Sequence, residues 1–346
     1  MRPIVTIVVP NYNGEKFIKR TVGSVLKNTQ IPFELIVVDN DSKDKSLDIL
    51  NKEFSKDKRL HVIKLKNNGG PTKAINIAVE KMQGKYLTVL GYDMEVDKGW
   101  LQRVVNYLDK NPDIGAGQLK ILRMDRRNIF DSAGDKVTMF GFLAERAQEA
   151  EDKGQFDKVE NIFSGKGTAA IFRKEVYKKA GGFDNDYFMV WEEPDLFWRI
   201  WKLGKRVVFL PMTRTWHAYG TKEKEITNEQ VIMFTYFGCR NQLITILKNE
   251  VGFAGFKMLM AVILAWIGLL LSFLIKLDLK RAKAIISAFS YIAGSIRKII
   301  NKRKETITLI GKGYYLDHDW LPLVTDNRGI QWYIRKALAN ITKKPY

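Results

Sequence analysis

The chain has a single cysteine, Cys239, among 346 residues, so no internal disulfide can form. That is compatible with a reducing compartment and does not by itself establish one. The amino terminus, MRPIVTIVVPNYNG, lacks an apolar stretch long enough for a secretory signal and reads as a strand ending at Pro10. Neither G-x-G-x-x-G nor a P-loop follows that strand. The loop is instead Pro10-Asn11-Tyr12-Asn13-Gly14, which argues against an ordinary dinucleotide-binding or NTPase fold. No internal repeat or low-complexity segment is found. Acidic residues are in short supply, with 57 Lys/Arg against 38 Asp/Glu and a net charge of +19. The imbalance is steepest in residues 251–346, which hold 16 basic and 5 acidic residues. The same stretch contains the most apolar run of the chain. That favours an anionic membrane surface over nucleic acid as the partner of the basic excess. An apolar content of 46% allows a full core and argues against wholesale disorder.

The first 120 residues alternate apolar β-branched runs with helical spacing. Strands are expected at Ile4–Val9, Glu34–Val38, His61–Leu65 and Tyr86–Leu90. Helices are expected at Lys16–Asn28, after Asp41-Ser42 as a cap, and at Thr72–Met82. Continuous apolar strands alternating with amphipathic helices imply an α/β fold with a mainly parallel sheet covered on both faces. Residues 121–160 are rich in charge and turn signals, as a lid or excursion would be. Strand and helix return over 161–220, and a helical pattern runs from 228 to 249.

Acidic residues stand at the ends of the apolar runs: Asp39 after FELIVV, Asp93 after KYLTVLGY, and Glu192, Glu193 and Asp195 in FMVWEEPDLFWRI. His217 follows RVVFLPMTRTW. Ligands of open α/β sheets bind at the carboxyl ends of strands, so these positions suggest a divalent metal and a phosphorylated ligand. Each also has a plain structural reading. Asp39 to Asp44 can cap a helix. Asn67-Asn68-Gly69-Gly70 can be a simple turn, or a loop that lets a phosphate approach the backbone. Glu192-Glu193-Pro194-Asp195 can be an acidic helix start with Pro194 at the first helical position, or a carboxylate cluster with raised pKa values. His217 alone is more often structural than a ligand.

The order of the motifs is more specific than any one of them. IVVPNYNG, LIVVDNDSKDKS, KNNGGPTKAINIAV, GKYLTVLGYDMEVDKGWL and the stretch from FSGKGTAAIFRK to TWHAYGT resemble, over residues 3–250, the family 2 inverting glycosyltransferases of the GT-A fold, in particular the rhamnosyltransferase-like branch. The resemblance implies roles residue by residue. Pro10, Tyr12 and Asp39 would hold the base of a nucleotide, with Asn68 and Gly70 in the loop beside it. Asp93 would be the metal-binding acid of an Asp-x-Asp-type motif, and His217 a ligand of the metal or the diphosphate. Glu193 would be the catalytic base, and Glu192 and Asp195 would serve the acceptor or support the base. Two departures stand out: Gly91 replaces a frequent Asp or Asn, so fewer metal contacts are expected, and Glu193 replaces the commoner Asp.

These matches imply transfer of a sugar, with inversion, from a UDP-, dTDP- or GDP-linked donor to an acceptor hydroxyl, assisted by Mg²⁺ or Mn²⁺. A glycan or polyprenyl-linked acceptor is expected from membrane attachment. Two alternatives remain open at this stage: a sugar-nucleotide pyrophosphorylase, and a catalytically inactive membrane-bound binding protein, which Gly91 and Glu193 would suit. The expected organisation is a catalytic domain over 1–225, a helical membrane-associated segment over 226–310 and a basic tail over 311–346. Met258–Ile275 is 18 residues without a charge, just enough to span a bilayer. Basic residues flank it on both sides, against the asymmetry of a single span. Helices lying in the cytoplasmic leaflet are therefore favoured over a single pass.

Overall fold

A computed structural model describes residues 2–218, 227–311 and the backbone of 323–324. The expected basic tail over 311–346 therefore lies almost wholly outside the described residues. By its internal contacts the chain divides into two compact units. The first comprises residues 1–135 and 145–225; the second comprises 136–144 and 226–346.

The first unit is built on a mixed, mainly parallel sheet with helices, as expected. Strand β1 (Val5–Asn11) is followed by α1 (Ile18–Asn28), β2 (Phe33–Asp39), α2 (Ser46–Phe54), β3 (Leu60–Lys64), α3 (Gly70–Lys81) and β4 (Tyr86–Leu90). Next come β5 (Met94–Val96), α4 (Trp100–Lys110), β6 (Ile114–Arg123), β7 (Phe130–Ser132), then β8 (Asp135–Thr138) and β9 (Leu143–Glu145), which fall largely in the second unit, and β10 (Glu160–Asn161). The unit ends with β11 (Ala169–Arg173), α5 (Lys174–Lys179), α6 (Glu192–Lys202) and β12 (Arg206–His217). The main sheet runs in the order β10-β12-β6-β11-β4-β1-β2-β3, with β5 attached to β12 and β7 to β6. Strands β1, β2, β3 and β4 are mutually parallel, while β11 runs antiparallel between β4 and β6. Their β-branched runs are buried from end to end in β1, β2 and β4 because helices cover both faces. Helix α4 shows the complementary pattern, burying Trp100, Leu101, Val104, Val105 and Leu108 along one stripe.

Three local expectations are corrected. Helix α2 starts at Ser46, so Asp41 and Ser42 do not cap it; Asp44 Oδ1 accepts from the Ser46 amide at 3.0 Å instead. Helix α6 starts at Glu192, which places Pro194 at its third position rather than its first. Residues 121–160 are not a free excursion, because β6 ends and β7 and β10 join the main sheet within them. Their charges are used internally: Lys120 is buried and pairs with Asp152 at 2.9 Å and Asp157 at 2.6 Å.

Over its described residues the second unit is mainly helical, with most of β8 and β9 and a two-residue strand, Leu323–Val324, forming a small separate sheet. Helix α7 (Asn228–Asn249) is started by a reciprocal cap in which the Gln230 amide donates to Thr227 Oγ1 and the Thr227 amide to Gln230 Oε1. It packs against α8 (Gly252–Ile275), α9 (Leu279–Gly294) and α10 (Ile296–Ile310). Helix α8 begins six residues before the uncharged run identified in the sequence and, with 24 residues, is long and apolar enough to cross a membrane. Its midpoint is tied to α7, where the Trp266 indole N–H donates to Gln242 Oε1 at 3.0 Å. The opposite side of the unit leaves hydrocarbon in the open: Phe253 is 73% exposed, Leu264 63% and Ile275 83%.

Candidate active site

The carboxyl ends of β1 and β2 meet in register, Asn11 opposite Asp39. Asp39 is fully buried, with 0% of its surface accessible. Its Oδ2 accepts from the Asn11 side-chain amide at 2.9 Å and its Oδ1 from the Ser42 backbone amide at 3.1 Å. The backbone turn and Asn11 thus enclose the carboxylate. Pro10 lies within β1 and is partly exposed, and Tyr12, just beyond it, is 42% exposed. Asn68 Oδ1 accepts from the Gly70 amide at 3.0 Å. Gly70 has φ +82°, and a side chain there would meet the Phe188 carbonyl at 2.5 Å. Only glycine fits that position, because both the left-handed backbone and the close approach forbid a Cβ.

Asp93 and His217 are brought together by strand bending. A register shift between Leu210 and Thr215 redirects β12, whose last residues then pair with β5, His217 opposite Met94. The Ala218 amide closes the junction by donating to the Asp93 carbonyl at 3.1 Å. His217 Nε2 ends 3.5 Å from Asp93 Oδ2, and both side chains are buried. Gly91 makes room for this: a Cβ there would stand 2.9 Å from Asp93 Oδ1. The departure from Asp-x-Asp is thus linked to how the remaining carboxylate is seated.

Asp131 completes the arrangement and was not identified from the sequence. It comes from β7, a three-residue strand paired to β6, which in turn pairs with the end of β12. Its Oδ2 lies 2.9 Å from His217 Nδ1 and its Oδ1 is 2.9 Å from Lys166 Nζ. Burial pushes the Asp131 carboxyl up, but the His217 hydrogen bond and the Lys166 charge outweigh it and hold it at about 2. Burial lowers His217, yet Asp93 and Asp131 together keep it above the ordinary histidine value. Because Asp131 is an anion without a proton to give, Nδ1 donates to it. A neutral ring therefore turns an Nε2 lone pair towards the Asp93 carboxylate, an arrangement that calls for a proton or a cation between them. Among the described residues no group of three or more His, Cys, Asp or Glu is arranged to hold a metal ion. Asp93 and His217 supply two donors, and their 3.5 Å spacing suits two ligands of one cation with bonds of about 2.0–2.2 Å. The donor set fits a divalent cation whose remaining positions are filled by ligand oxygens and water.

The acidic start of α6 forms the other half of the site. Val190 (φ 66°) and Trp191 (φ 72°) are consecutive left-handed residues that turn the chain sharply into the helix. Such conformations in non-glycine residues gather at functional sites. Glu193 Oε1 accepts from the Gly167 amide at 2.9 Å. A Cβ at Gly167 would lie 2.8 Å from that same oxygen, so any larger residue would push Glu193 aside. Glu192 is buried and its carboxyl rises well above the usual range, first through burial and then through the charge of Glu193. Glu193 is also raised, chiefly by burial, while the Gly167 amide and Lys166 draw it back. Both carboxyls are thus raised, Glu192 the more strongly. Asp195 is fully buried and pairs with Arg199, Nη2 to Oδ2 at 2.7 Å. The pair joins two positions one turn apart on α6 and keeps the Asp195 carboxylate out of water. Asp135, also missed in the sequence, is pushed up to about 8 by burial and by Glu145, and its Oδ1 has no hydrogen-bond partner.

The sequence model of Glycosyl transferase family 2 matches residues 6–181. An uncharacterized glycosyltransferase of Haemophilus influenzae is 36% identical over 109 residues, covering 32% of this chain and 44% of that protein. The O-antigen biosynthesis protein RfbC of Myxococcus xanthus is 30% identical over 223 residues, covering 62% of this chain and 17% of RfbC. The chain thus spans less than half the length of these curated relatives. Among solved structures, mannosyltransferase PcManGT from Pyrobaculum calidifontis, in complex with GDP-Man and Mn²⁺, has the same fold, with a TM-score of 0.53 and 17% identity. That match covers 100% of this chain and 89% of PcManGT.

Proposed function

The chain belongs to glycosyl transferase family 2, and from that premise we propose that it moves a sugar from a nucleoside diphosphate donor to an acceptor hydroxyl, with inversion at the anomeric carbon. The observation that carries the reading is the Asp93–His217 pair, 3.5 Å apart and oriented by Asp131, in the same unit as Glu193, whose carboxylate is held by the Gly167 amide. Asp93 and His217 would hold Mg²⁺ or Mn²⁺, which would neutralise charge growing on the departing diphosphate. Glu193 takes the proton of the acceptor hydroxyl. The hydroxyl oxygen bonds to the anomeric carbon as the bond from that carbon to the diphosphate oxygen breaks, and the nucleoside diphosphate leaves with the bond electrons. One protein carboxylate suffices at the sugar, because leaving-group departure needs no second acid. Glu192 supports the base, and Asp195 fixes its helix through Arg199. The exposed Tyr12, with Pro10, offers a surface for the base of the nucleotide, whereas Asp39, Asn68 and Gly70 shape the loops around it.

The acceptor is a cell-surface glycan or a polyprenyl-linked precursor, a reading supported by the name of the Myxococcus relative and by the helical unit. The open hydrocarbon of α8, together with cations such as Lys257, Lys276, Lys280 and Lys283, suits an anionic leaflet at the cytoplasmic face of the cell membrane. An interfacial position is favoured over a span, because Trp266 at the middle of α8 bonds to polar Gln242 of α7, a helix that also carries Glu229, Arg240 and Lys248. The test is a panel of UDP-, dTDP- and GDP-sugars assayed with the full chain, Mn²⁺ or Mg²⁺, and membrane extract. Metal-dependent transfer from one donor class to a lipid-extractable product is the expected result. No consumption of any donor would contradict the proposal.

A further inference from the structure

Two residues without an assigned role connect the halves of this site. Asp131 uses one oxygen for His217 and the other for Lys166, at 2.9 Å each. Lys166 also reaches the Asp131 carbonyl at 3.3 Å, so it grips residue 131 at two points. Lys166 is itself held in a fixed loop. Its backbone amide donates to Gln118 Oε1 at 2.7 Å, and a Cβ on the preceding Gly165 would meet that oxygen at 2.5 Å. The next residue, Gly167, holds Glu193. One tripeptide therefore fixes the acceptor of the imidazole proton through its side chain and the base through its backbone.

An ammonium has donors only, and it always claims an oxygen. Lys166 thus decides which atom of residue 131 is left for the ring. With aspartate the atom left is a second oxygen, Nδ1 carries the proton, and the Nε2 lone pair faces Asp93. We infer that Asp131 and Lys166 are positioning residues that lock His217 in the tautomer able to ligate a cation beside Asp93. The inference rests on the proposed metal-holding role of Asp93 and His217. It deepens that role by naming what sets the ring.

The consequence for a substitution is specific. In Asp131→Asn the lysine claims the single amide oxygen and turns the amide NH₂ towards Nδ1, which forces the proton onto Nε2 and blocks the ligand atom. Removing the lysine in the same chain, Lys166→Met with Asp131→Asn, frees the amide to flip and offer its oxygen to the ring. The double variant should then recover what the single one lost, which a merely structural ion pair would not do. The experiment has two arms on the full-length protein. The first is ¹⁵N NMR of the imidazoles in metal-free protein at alkaline pH, with His61 and His318 as the two other histidines for reference. The expected result is Nδ1–H for His217 in the parent, Nε2–H in Asp131→Asn, and Nδ1–H again in the double variant. The second is Mn²⁺ titration with UDP and with GDP, followed by the electron paramagnetic resonance of free Mn²⁺. Asp131→Asn should bind about 10–100-fold more weakly, with about tenfold recovered in the double variant. Gly167→Ala should leave the Mn²⁺ titration unchanged and lower turnover, since it acts on Glu193. An unchanged His217 tautomer in Asp131→Asn, or a double variant no better than the single, overturns the inference. Failure of the parent protein to bind Mn²⁺ would instead sink the metal reading, and the NMR arm would still decide the tautomer.

Discussion

The two units of this chain break opposite rules. The sheet unit buries ionisable groups: Asp93, Asp131, Asp135, Glu192, Asp195 and His217 are all withdrawn from water. The helical unit exposes hydrocarbon: Phe253, Phe256, Leu264, Leu271 and Ile275 all lie open. A buried charge costs several kcal/mol unless a partner or ligand compensates it. Exposed apolar surface forgoes about 25 cal/mol for every Å² that lipid could cover. The first anomaly is what a small charged ligand would relieve, and the second what an apolar environment such as the proposed lipid surface would cover. The difference teaches that each unit advertises its partner through the rule it violates.

The sharpest way to break this comparison is to spoil the buried side. Glu193→Gln should cut transfer by ~10²–10⁴-fold with donor binding nearly intact, the usual scale for a general base. Glu192→Gln should do less, and a larger loss at Glu192 would reverse the assignment. The pH profile of kcat/KM should carry the same mark. Because burial raises Glu193, activity should fall on the acid side at a pH above the ordinary carboxylate value. Next in size is Asp93→Ala. Losing a direct ligand should remove most metal-dependent nucleotide binding and lower turnover by about 10²-fold, measured by Mn²⁺ titration calorimetry with UDP and GDP.

On the exposed side, Leu271→Ser should reduce binding to vesicles of mixed phosphatidylglycerol and phosphatidylethanolamine by about tenfold, the worth of one buried leucine side chain. High salt alone should leave the parent protein on those vesicles, because screening weakens charge contacts and not apolar insertion. Release by salt would mean that the basic residues, not the apolar face, hold the membrane.

The smallest effect concerns Asp135. Its carboxyl is held near 8 in the folded chain and titrates near 3.9 when unfolded. Between those values the unfolded state has released a proton that the folded state retains, so this group lowers stability as pH rises from about 4 to 8. Asp135→Asn should therefore raise Tm by a few degrees at pH 8 and by little at pH 4, as read by calorimetry. An equal gain at both pH values would mean that charge is not the cause.

Much of the sheet was legible in the chain. Tyr86–Leu90 matches its strand end to end, and the first three strands fall within a residue or two. Runs such as IVTIVV and ELIVV state their burial on both faces directly. The site was legible only in part. Asp93, Glu193 and His217 end or begin regular elements, where position along a strand or helix already marks them. Asp131 belongs to a three-residue strand in a charged stretch, and its partner His217 lies 86 positions away. Only pairing through β6 joins them, and no local periodicity records that. Lys166 left a faint signal, a lysine between two glycines in FSGKGTAA, which marks a backbone held closely on both sides. The burial of Asp39 was invisible for the same reason, since it depends on Asn11 from the neighbouring strand.

The claim on which the account depends is that a single carboxylate, Glu193, deprotonates the acceptor for direct displacement at the sugar. ¹H NMR of the first-formed product, made with whichever donor the panel shows to be consumed, reads the anomeric configuration. The account predicts a configuration opposite to that of the donor, abolished together with transfer in Glu193→Gln. A product that retains the donor's configuration would contradict it.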